Sequence, residues 1–218
     1  MLSVVIPTLN AAASVGGSIA SVREADEILV VDGGSTDATV AIAEGHGARV
    51  LTCPAGRGGQ LAAGARAAKG DWLLFLHADT LLASGWREAA ERHIHRQRGK
   101  AACFRLRLDA PEWQARLIEA GVRLRVRLFG LPYGDQGLLI SRRLYDGVGG
   151  FAPLRLMEDV ELMRRIGRIR LARLGVEAVT SAERWRRDGW LRRGLRNLLC
   201  LALFGIGVPP NRIARIYG

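Results

Sequence analysis

Cysteine is scarce in this chain of 218 residues. Its three cysteines, Cys53, Cys103 and Cys200, are odd in number, far apart and without the short spacings of a metal site. We therefore expect neither a disulfide framework nor a zinc motif. The cysteine content favours a reduced, cytoplasmic compartment.

The chain also lacks an apolar run long enough to cross a bilayer, which takes about 20 residues. The run Leu2–Ile6 is too short for the core of a signal peptide and has no basic leader. The segment Trp190–Ile206 has three arginines in its first half and is almost entirely apolar from Leu198 onward. Two uses of this segment stay open: contact with the inner face of an anionic membrane, and packing on the sheet or in a homodimer.

Lysine is nearly absent, since Lys69 and Lys100 are the only two, and arginine supplies nearly all of the formal net charge of +11. Codon usage can produce such a bias, and net charge informs only on partners. An anionic substrate and an anionic membrane suit arginine, whose planar fork binds phosphate in a bidentate way. Nucleic acid is not expected, because aromatic residues are not interleaved with the basic ones.

Apolar strand patterns alternate with helical patterns, and no repeat or linker divides the chain. The predicted strands are Leu2–Ile6, Glu27–Val31, Arg49–Thr52, Asp71–Leu76, Ala101–Leu108 and Gln136–Ser141. The predicted helices are Ala12–Val22, Thr36–Glu44, a segment after the flexible loop Gly56–Gln60 up to Lys69, Gly85–Gln97, Pro111–Leu128 and Met157–Arg168. The alternation predicts α/β architecture, with a mostly parallel sheet flanked by helices in a single domain.

Two surface patterns in the second half are specific enough to test. Helical spacing along Pro111–Leu128 predicts an inner face made of Trp113, Leu117, Ile118, Gly121 and Leu124. The alternation in Ala101–Leu108 predicts a half-exposed strand with Cys103 on the same face as Arg105 and Arg107.

Polar residues follow the predicted parallel strands where a ligand is expected, beyond the carboxyl ends of the sheet. Asp79 suits a divalent cation that also holds a diphosphate, and His77 points the same way on an extended backbone. Asp32 begins a glycine-containing turn before a helix and could accept a hydrogen bond from a base imide. Simple capping of the following helix is the structural alternative for both aspartates.

Further candidates lie in loops and at helix starts. Arg57 and Gln60 could close over a diphosphate from their glycine-rich loop, or lie in solvent. Glu158 and Asp159 begin a helix whose dipole keeps Asp159 ionised, so Asp159 is the candidate general base, unless the two acids only complement the dipole. Asp135 and Gln136, between glycines, could bind an acceptor hydroxyl.

Five motifs in this order resemble the family 2 glycosyltransferases over about residues 1–170. They are Val4-Val5-Ile6-Pro7-Thr8-Leu9-Asn10, Val31-Asp32-Gly33-Gly34-Ser35-Thr36-Asp37, Phe75-Leu76-His77-Ala78-Asp79-Thr80, Val148-Gly149-Gly150-Phe151 and Glu158-Asp159. The resemblance implies a GT-A fold, a nucleotide-sugar donor (most often a UDP-sugar), Mg or Mn, and inversion at the anomeric carbon. It implies a nucleotide-binding half at about 1–100, an acceptor half at about 101–185 and a helical tail at about 186–218.

The resemblance also implies roles for individual residues. Asp79 would bind the metal, and Asp159, next to Glu158, would deprotonate the acceptor hydroxyl. Thr8 and Asp32 would hold the nucleoside. The remaining donor-site positions are Pro7, Asn10, Gly34, Ser35, Arg57, Gln60, His77 and Ala78.

The chain departs from the family pattern at several positions. The family's Asp-X-Asp is His77-Ala78-Asp79, so His77 could contact the ribose or diphosphate or bind the metal. This change, with Gly134-Asp135-Gln136-Gly137, resembles a subgroup of small bacterial enzymes, some assigned to arsenosugar biosynthesis. Arg184-Trp185 is similar to the end of a Gln-X-X-Arg-Trp motif, with Ser181 at the Gln position. Trp185 could stack on an acceptor sugar or pack in the core.

Two other functions stay open. A nucleotidyltransferase could share the sheet and the metal-binding aspartate, but it would release pyrophosphate. A non-catalytic basic module would bind nucleic acid or lipid in a salt-sensitive way.

Overall fold

The computed structural model describes residues 1–217, which form one eight-stranded sheet with helices on both sides. The strands are β1 Leu2–Thr8, β2 Glu27–Asp32, β3 Arg49–Thr52, β4 Trp72–Phe75, β5 Thr80–Leu82, β6 Ala101–Asp109, β7 Leu138–Ser141 and β8 Leu171–Ser181. The α-helices are α1 Val15–Ser21, α2 Thr39–Gly45, α3 Arg57–Ala67, α4 Trp86–Arg96, α5 Trp113–Phe129, α6 Arg142–Gly147, α7 Glu158–Ile166, α8 Glu183–Asp188, α9 Trp190–Gly205 and α10 Pro210–Tyr217.

The first half of the chain builds the parallel part of the sheet. The strand order is β3-β2-β1-β4-β7-β6-β8-β5, and β1 pairs in parallel with both β2 and β4. Every residue of β1 and β4 is buried, as expected for strands covered by helices on both faces. The predicted α/β architecture is confirmed, and the carboxyl ends of β1, β2 and β4 share one edge.

The second half is mixed rather than parallel. β7 runs antiparallel to β4 and β6, whereas β8 is parallel to β6. The sequence did not predict β5 or the eleven-residue β8. In β8, Arg173, Gly175 and Glu177 alternate with Leu174, Val176 and Ala178, which pack on the core. This alternation is typical of a half-buried strand, so the signal was present in the sequence and was not used.

Two apolar layers cover the sheet, because alternate side chains of each strand point to opposite faces. On one side, Val4 and Leu74 pack with residues of α1 and α4, including Ile19 and Trp86. On the other side, Val5 and Leu73 pack with residues of α3 and α7, including Leu61 and Leu162. The parallel strands are therefore fixed from both faces, and so is the edge where they end.

The predicted inner face of α5 is wrong. Trp113, Leu117 and Leu124 are 65%, 59% and 56% exposed, Gly121 is exposed and Ile118 is half-buried. The buried residues of α5 are Ala115, Glu119, Val122 and Val126. This helix has two apolar stripes on opposite sides, so periodicity could not choose between them.

Glu119 decides which stripe of α5 is buried. Its Oε1 accepts a hydrogen bond of 2.8 Å from the backbone N–H of Leu108 in β6, and Arg116 lies 3.1 Å from the same carboxylate. A charged group is buried only when it is paired and hydrogen-bonded. On this side of α5, β6 supplies the N–H of Leu108 and also Arg107, which lies 3.5 Å from the Glu119 carboxylate.

The sequence pattern also predicts the wrong face of β6 for Cys103. It is buried, and the strand becomes alternately exposed only from Arg105 onward. A register shift between Cys103 and Arg105 interrupts the pairing of β6 with β8, and such a bulge changes the face on which the following side chains lie.

The C-terminal segment folds into helices that pack on the rest of the chain. The predicted segment Trp190–Ile206 is α9, and Cys200 of α9 is buried with Ile213 of α10, Met157 and Val160. Among the described residues, no helix is long and apolar enough to cross a membrane.

Candidate active site

The carboxyl edge of the parallel strands brings the predicted donor-site residues together. Thr8 of β1 lies opposite Asp32 of β2 in the sheet register, and His77, Ala78 and Asp79 follow directly after β4. The loops after three neighbouring strands therefore meet, as the sequence predicts.

Asp32 organises the turn that follows β2. Its carboxylate accepts hydrogen bonds from the Thr8 hydroxyl (3.0 Å), from the backbone N–H groups of Gly34 (2.9 Å) and Ser35 (2.7 Å), and from the Ser35 hydroxyl. Burial tends to raise the pKa of Asp32, but these four hydrogen bonds outweigh burial and lower it. A carboxylate accepts about four hydrogen bonds. Asp32 could therefore accept a hydrogen bond from a nucleobase only if one of these four hydrogen bonds broke.

Asn10 ties the turn after β1 to the turn after β2. Its backbone adopts a left-handed conformation with φ of 50°, which asparagine tolerates better than most residues. Its Oδ1 accepts a hydrogen bond of 2.9 Å from the Thr36 N–H, and its own N–H donates to the Ser35 hydroxyl at 2.8 Å. These hydrogen bonds join the turn after β1 to the turn after β2. We call the surface that they form, beside Pro7 and Thr8, the shelf.

The predicted flexible loop at residues 56–60 is wrong, because α3 begins at Arg57. Gln60 is buried, and its side-chain amide donates to the backbone carbonyls of Thr8 and Val31, both at 2.8 Å. Its donors are used to hold α3 against β1 and β2, so the predicted contact of Gln60 with a diphosphate is not available in this arrangement.

Arg57 forms an ion pair with Glu158, which is only 1% exposed. Burial raises the pKa of Glu158, and the neighbouring guanidinium opposes that rise. Glu158 lines a small cavity together with His77 and Asp159. Its ion pair with Arg57 is a positioning contact, because it fixes the place of the arginine side chain.

Gly134 contacts both His77 and Asp159. The N–H of Gly134 donates to Asp159 Oδ2 at 3.0 Å, and a Cβ at Gly134 would lie 2.2 Å from His77 Nε2. Only glycine allows the backbone to approach the imidazole this closely. Burial, followed by the charges of Arg57 and Arg184, lowers the pKa of His77 well below its usual value, so the imidazole is neutral.

A cleft of about 780 Å³, including its solvent-open part, is lined by the segment after β4, the start of α7 and the end of β8. Asp79, Asp135 and Asp159 line it together with His77 and Arg57. Asp79 is held by its backbone carbonyl, which accepts a hydrogen bond of 3.2 Å from the N–H of Ser181 at the end of β8. The predicted metal-binding aspartate and the predicted base therefore face one space.

The donor set of this cleft fits a divalent cation that shares its ligands with a substrate. Within residues 1–217, no group of three or more His, Cys, Asp or Glu side chains could hold a metal alone. Carboxylate oxygens suit Mg and Mn, and Mg usually binds one or two carboxylates together with substrate phosphates. Asp135 Oδ1 is buried and has no hydrogen-bond partner in the described part of the chain, which leaves a free oxygen beside Asp79.

Part of the cleft wall comes from the second half of the chain and its C-terminal helices. Trp185 lines it, stacks on Trp190 with ring centroids 5.9 Å apart, and lies under the guanidinium of Arg193. Gln136 is not on the cleft, since its side chain is buried and donates to the backbone carbonyl of Phe104 at 3.1 Å. Of the three residues predicted to contact the acceptor, Asp135 and Trp185 line the cleft and Gln136 does not.

Sequence reasoning missed several residues of the cleft. They are Tyr133, Leu156, Met157, Thr180, Ser181, Arg184, Arg193 and Asn197. Arg184 has a sequence signal, because it precedes Trp185 in the motif-like pair. Arg193 and Asn197 have none, since only the packing of α9 brings them to the cleft.

Asp135→Asn is expected to stabilise the protein near neutral pH. Burial raises the pKa of Asp135 to about 6, with Arg125 opposing and Asp159 and Asp79 adding to the rise. The folded state therefore holds a proton that the unfolded chain loses at lower pH, and stability falls as pH rises from about 4 to about 6. Removing this penalty should add about 1–3 kcal/mol at pH ~7.5 and little at pH ~4.

Urea unfolding of the wild type and of Asp135→Asn at the two pH values measures this difference. Asp146→Asn, which changes an exposed carboxylate on α6, is the control and should show no such dependence. An equal effect of Asp135→Asn at both pH values would contradict a raised pKa.

A family model described as "Glycosyl transferase family 2" matches residues 3–156 of the chain. A relative named "Uncharacterized glycosyltransferase" from Rickettsia bellii (strain RML369-C) is 41% identical over 92 residues, which cover 41% of this chain and 31% of the relative. The match thus spans about a third of that relative's length.

Solved structures share the fold. The structure of S. aureus TarS 1-349 in complex with UDP has a TM-score of 0.66 and 17% identity, covering 99% of this chain and 69% of that one. Glucosyl-3-phosphoglycerate synthase from Mycobacterium tuberculosis, in complex with Mn²⁺, UDP and glucosyl-3-phosphoglycerate, has a TM-score of 0.64 and 24% identity, covering 96% and 81%.

Proposed function

Because this chain belongs to glycosyl transferase family 2, we propose that it transfers a sugar from a nucleotide-sugar donor to an acceptor hydroxyl with inversion at the anomeric carbon. One observation carries the proposal: Asp79, which follows β4, and Asp159, which begins α7, line the same cleft. A UDP-sugar is the favoured donor, since the structural relatives include TarS bound to UDP-GlcNAc and the synthase bound to UDP and Mn²⁺.

The donor would lie along the shelf formed by the turns after β1 and β2. Thr8, Asn10, Asp32, Gly34 and Ser35 are fixed there by mutual hydrogen bonds. A rigid shelf orients the nucleoside at little entropic cost, and orientation is a large part of catalysis. The diphosphate would then extend past Ala78 toward Asp79, His77 and Arg57.

The transfer itself needs one proton acceptor and positive charge on the leaving group. The acceptor oxygen would attack the anomeric carbon while the bond from that carbon to the diphosphate oxygen breaks, and the hydroxyl proton would pass to the carboxylate of Asp159. Arg57 and Arg184 line the cleft and would stabilise the charge that develops on the diphosphate. No covalent bond to the enzyme is required.

A divalent ion fits the site through Asp79, with the neutral imidazole of His77 as a further possible ligand. When bound, Mn or Mg would supply additional positive charge for the leaving diphosphate. The donor's own phosphate oxygens would complete its coordination.

Asp79→Ala is expected to abolish the Mn²⁺-dependent part of UDP binding, because no other carboxylate directly follows β4. Calorimetric titration of UDP with and without Mn²⁺ measures it, and the wild type should bind at least about tenfold more tightly with the metal. Asp71→Ala is the matched control, since Asp71 is exposed at the opposite end of the same strand and should leave binding unchanged.

Unchanged metal-dependent UDP affinity in Asp79→Ala would contradict the metal assignment. Absence of any nucleoside diphosphate binding by the folded wild type would contradict the donor site itself. Release of UDP during turnover, rather than pyrophosphate, separates this proposal from a nucleotidyltransferase.

We also propose a cytoplasmic location at the inner face of a membrane, with a homodimer as the alternative. Membrane contact and a homodimer would both use the exposed face of the C-terminal helices, where Leu191 and Leu195 lie in solvent.

A further inference from the structure

Two helices expose large apolar side chains instead of burying them. On α9, Leu191, Leu195 and Leu198 are 81%, 68% and 61% exposed, and on α5 the exposed side chains are Trp113, Leu117 and Leu124. We call these six side chains the α5–α9 surface. Large exposed apolar patches on soluble proteins usually mark an interaction site.

The two stripes lie on one side of the protein. α5 and α9 are in contact, since a Cβ at Gly194 would lie 3.6 Å from Ile118 Cδ1. On α5 the exposed stripe is opposite the residues that pack on β6, and on α9 it is opposite the buried Arg193 and Cys200. Gly194 and Ile118, where the helices meet, directly adjoin Leu195 of α9 and Leu117 of α5 in sequence, so the two exposed stripes are neighbours.

The charge around this surface is positive. Arg123, Arg127 and Arg192 are exposed on the same two helices. From Gly189 to Gly218 the sequence contains five arginines and no aspartate or glutamate. An apolar helix face bordered by arginine fits the interface of a membrane with negatively charged lipids. A second copy of the chain fits less well, because self-association would bring the arginines of both copies together.

The opposite face of α9 forms a wall of the cleft. Arg193 and Asn197 line the cleft, and a helical repeat of about 3.6 residues places them on the side away from Leu191, Leu195 and Leu198. Asn197 Oδ1 is buried without a hydrogen-bond partner among the described residues. One helix therefore separates the site of transfer from the apolar surface.

We propose that the α5–α9 surface rests on an anionic membrane leaflet, and that the acceptor is a hydroxyl-bearing molecule anchored in that leaflet. The second part rests on the proposed glycosyl transfer. With the apolar side of α9 in the membrane interface, the cleft on its other side lies within reach of a lipid's polar head group. A water-soluble acceptor would give α5 and α9 no reason to expose these side chains together.

Vesicle flotation of the full chain tests the membrane contact. The protein should float with vesicles of phosphatidylcholine mixed with phosphatidylglycerol, and much less with phosphatidylcholine alone. Leu195→Glu combined with Leu198→Glu should reduce the bound fraction by about tenfold or more, because charge is placed in the apolar interface. UDP binding should be unchanged, which shows that the variant is folded.

Two double variants show whether vesicle binding depends on arginines at the α5–α9 surface or only on the net positive charge of the protein. Arg123→Glu with Arg192→Glu should weaken binding to anionic vesicles by about tenfold. Arg92→Glu with Arg96→Glu changes the net charge equally, but it lies on α4, which packs on the other face of the sheet. Equal loss in both pairs would contradict a defined surface.

Other outcomes also decide the matter. Wild-type protein that binds UDP but does not float with anionic vesicles overturns the proposal, as does a dimer by sedimentation that Leu195→Glu with Leu198→Glu converts to monomer. Flotation without UDP binding would instead contradict the proposed donor site and would still support the membrane contact.

A second experiment tests the acceptor. Incubation of the protein with radiolabelled UDP-glucose or UDP-GlcNAc and a membrane lipid extract should give label in the organic phase. Label in water-soluble products alone contradicts a lipid-anchored acceptor.

Discussion

Asp159→Asn is expected to bind UDP like the wild type and to transfer sugar about 10²–10⁴-fold more slowly. The carboxylate of Asp159 accepts hydrogen bonds from the backbone N–H groups of Gly134 and Val160, so its place in the cleft is fixed from two directions. Asparagine has nearly the same shape but cannot take the proton of the attacking hydroxyl. The initial rate of UDP release and calorimetric UDP titration together measure the effect.

Glu161→Gln is the matched control for this loss. Glu161 lies in the same first turn of α7 and pairs with Arg165, so the substitution removes the same charge from the same helix end. Its transfer rate should stay within about twofold of the wild type, because surface changes of this kind have small effects. Retained transfer in Asp159→Asn would place the general base elsewhere in the cleft.

Gly58→Ala should cost the largest free energy of unfolding among single methyl additions in α3. A Cβ at Gly58 would lie 2.2 Å from the carbonyl oxygen of Ala152 and 2.6 Å from that of Leu154. These are backbone atoms, so no side chain can move aside, and α3 must shift away from the loop before α7. We expect a loss of about 3 kcal/mol or more, at the upper end of overpacking effects.

Gly59→Ala, one residue further along the same helix, shows how specific this effect is. A Cβ at Gly59 has no neighbour within 4 Å, and alanine favours a helix over glycine by about 1 kcal/mol. Urea unfolding should therefore show a loss for Gly58→Ala and a small gain for Gly59→Ala. Similar changes in both variants would mean that helix propensity, and not contact with the loop, decides.

Gly58→Ala should also weaken UDP binding. Gly58 follows Arg57, whose guanidinium pairs with Glu158, so a displaced helix start moves the arginine expected to contact the diphosphate. Gly59→Ala should leave the affinity for UDP unchanged.

Local sequence was sufficient for the first half of the fold. Continuous apolar runs such as Leu2–Ile6 and a turn such as Asp32-Gly33-Gly34 follow from short-range rules, and the predicted strands lie within two residues of β1 to β4. The membership of the chain in its family is likewise confirmed. Asp79, Asp135, Asp159 and Trp185 were predicted for the site, and the structure brings all four to one cleft.

Side-chain environments that depend on distant partners were not predictable in the same way. Gln60 was assigned to a loop, but its amide bonds to the ends of β1 and β2. Glu158 was paired with Asp159 in sequence, but its carboxylate is buried and forms an ion pair with Arg57. Each of these contacts joins residues far apart in the chain, and periodicity carries no information about them.

The sequence by itself determined the strands and helices from β1 to β4, the family, and the edge of the sheet where the candidate site lies, because these depend on periodicity and on motifs a few residues long. Only the tertiary structure decided which stripe of α5 is buried and that α9 is a wall of the cleft with its leucines in solvent. Both helices are apolar on more than one side. The physical reason is that the face a helix buries is chosen by the partners that satisfy its polar groups, as Leu108 and Arg107 of β6 do for Glu119.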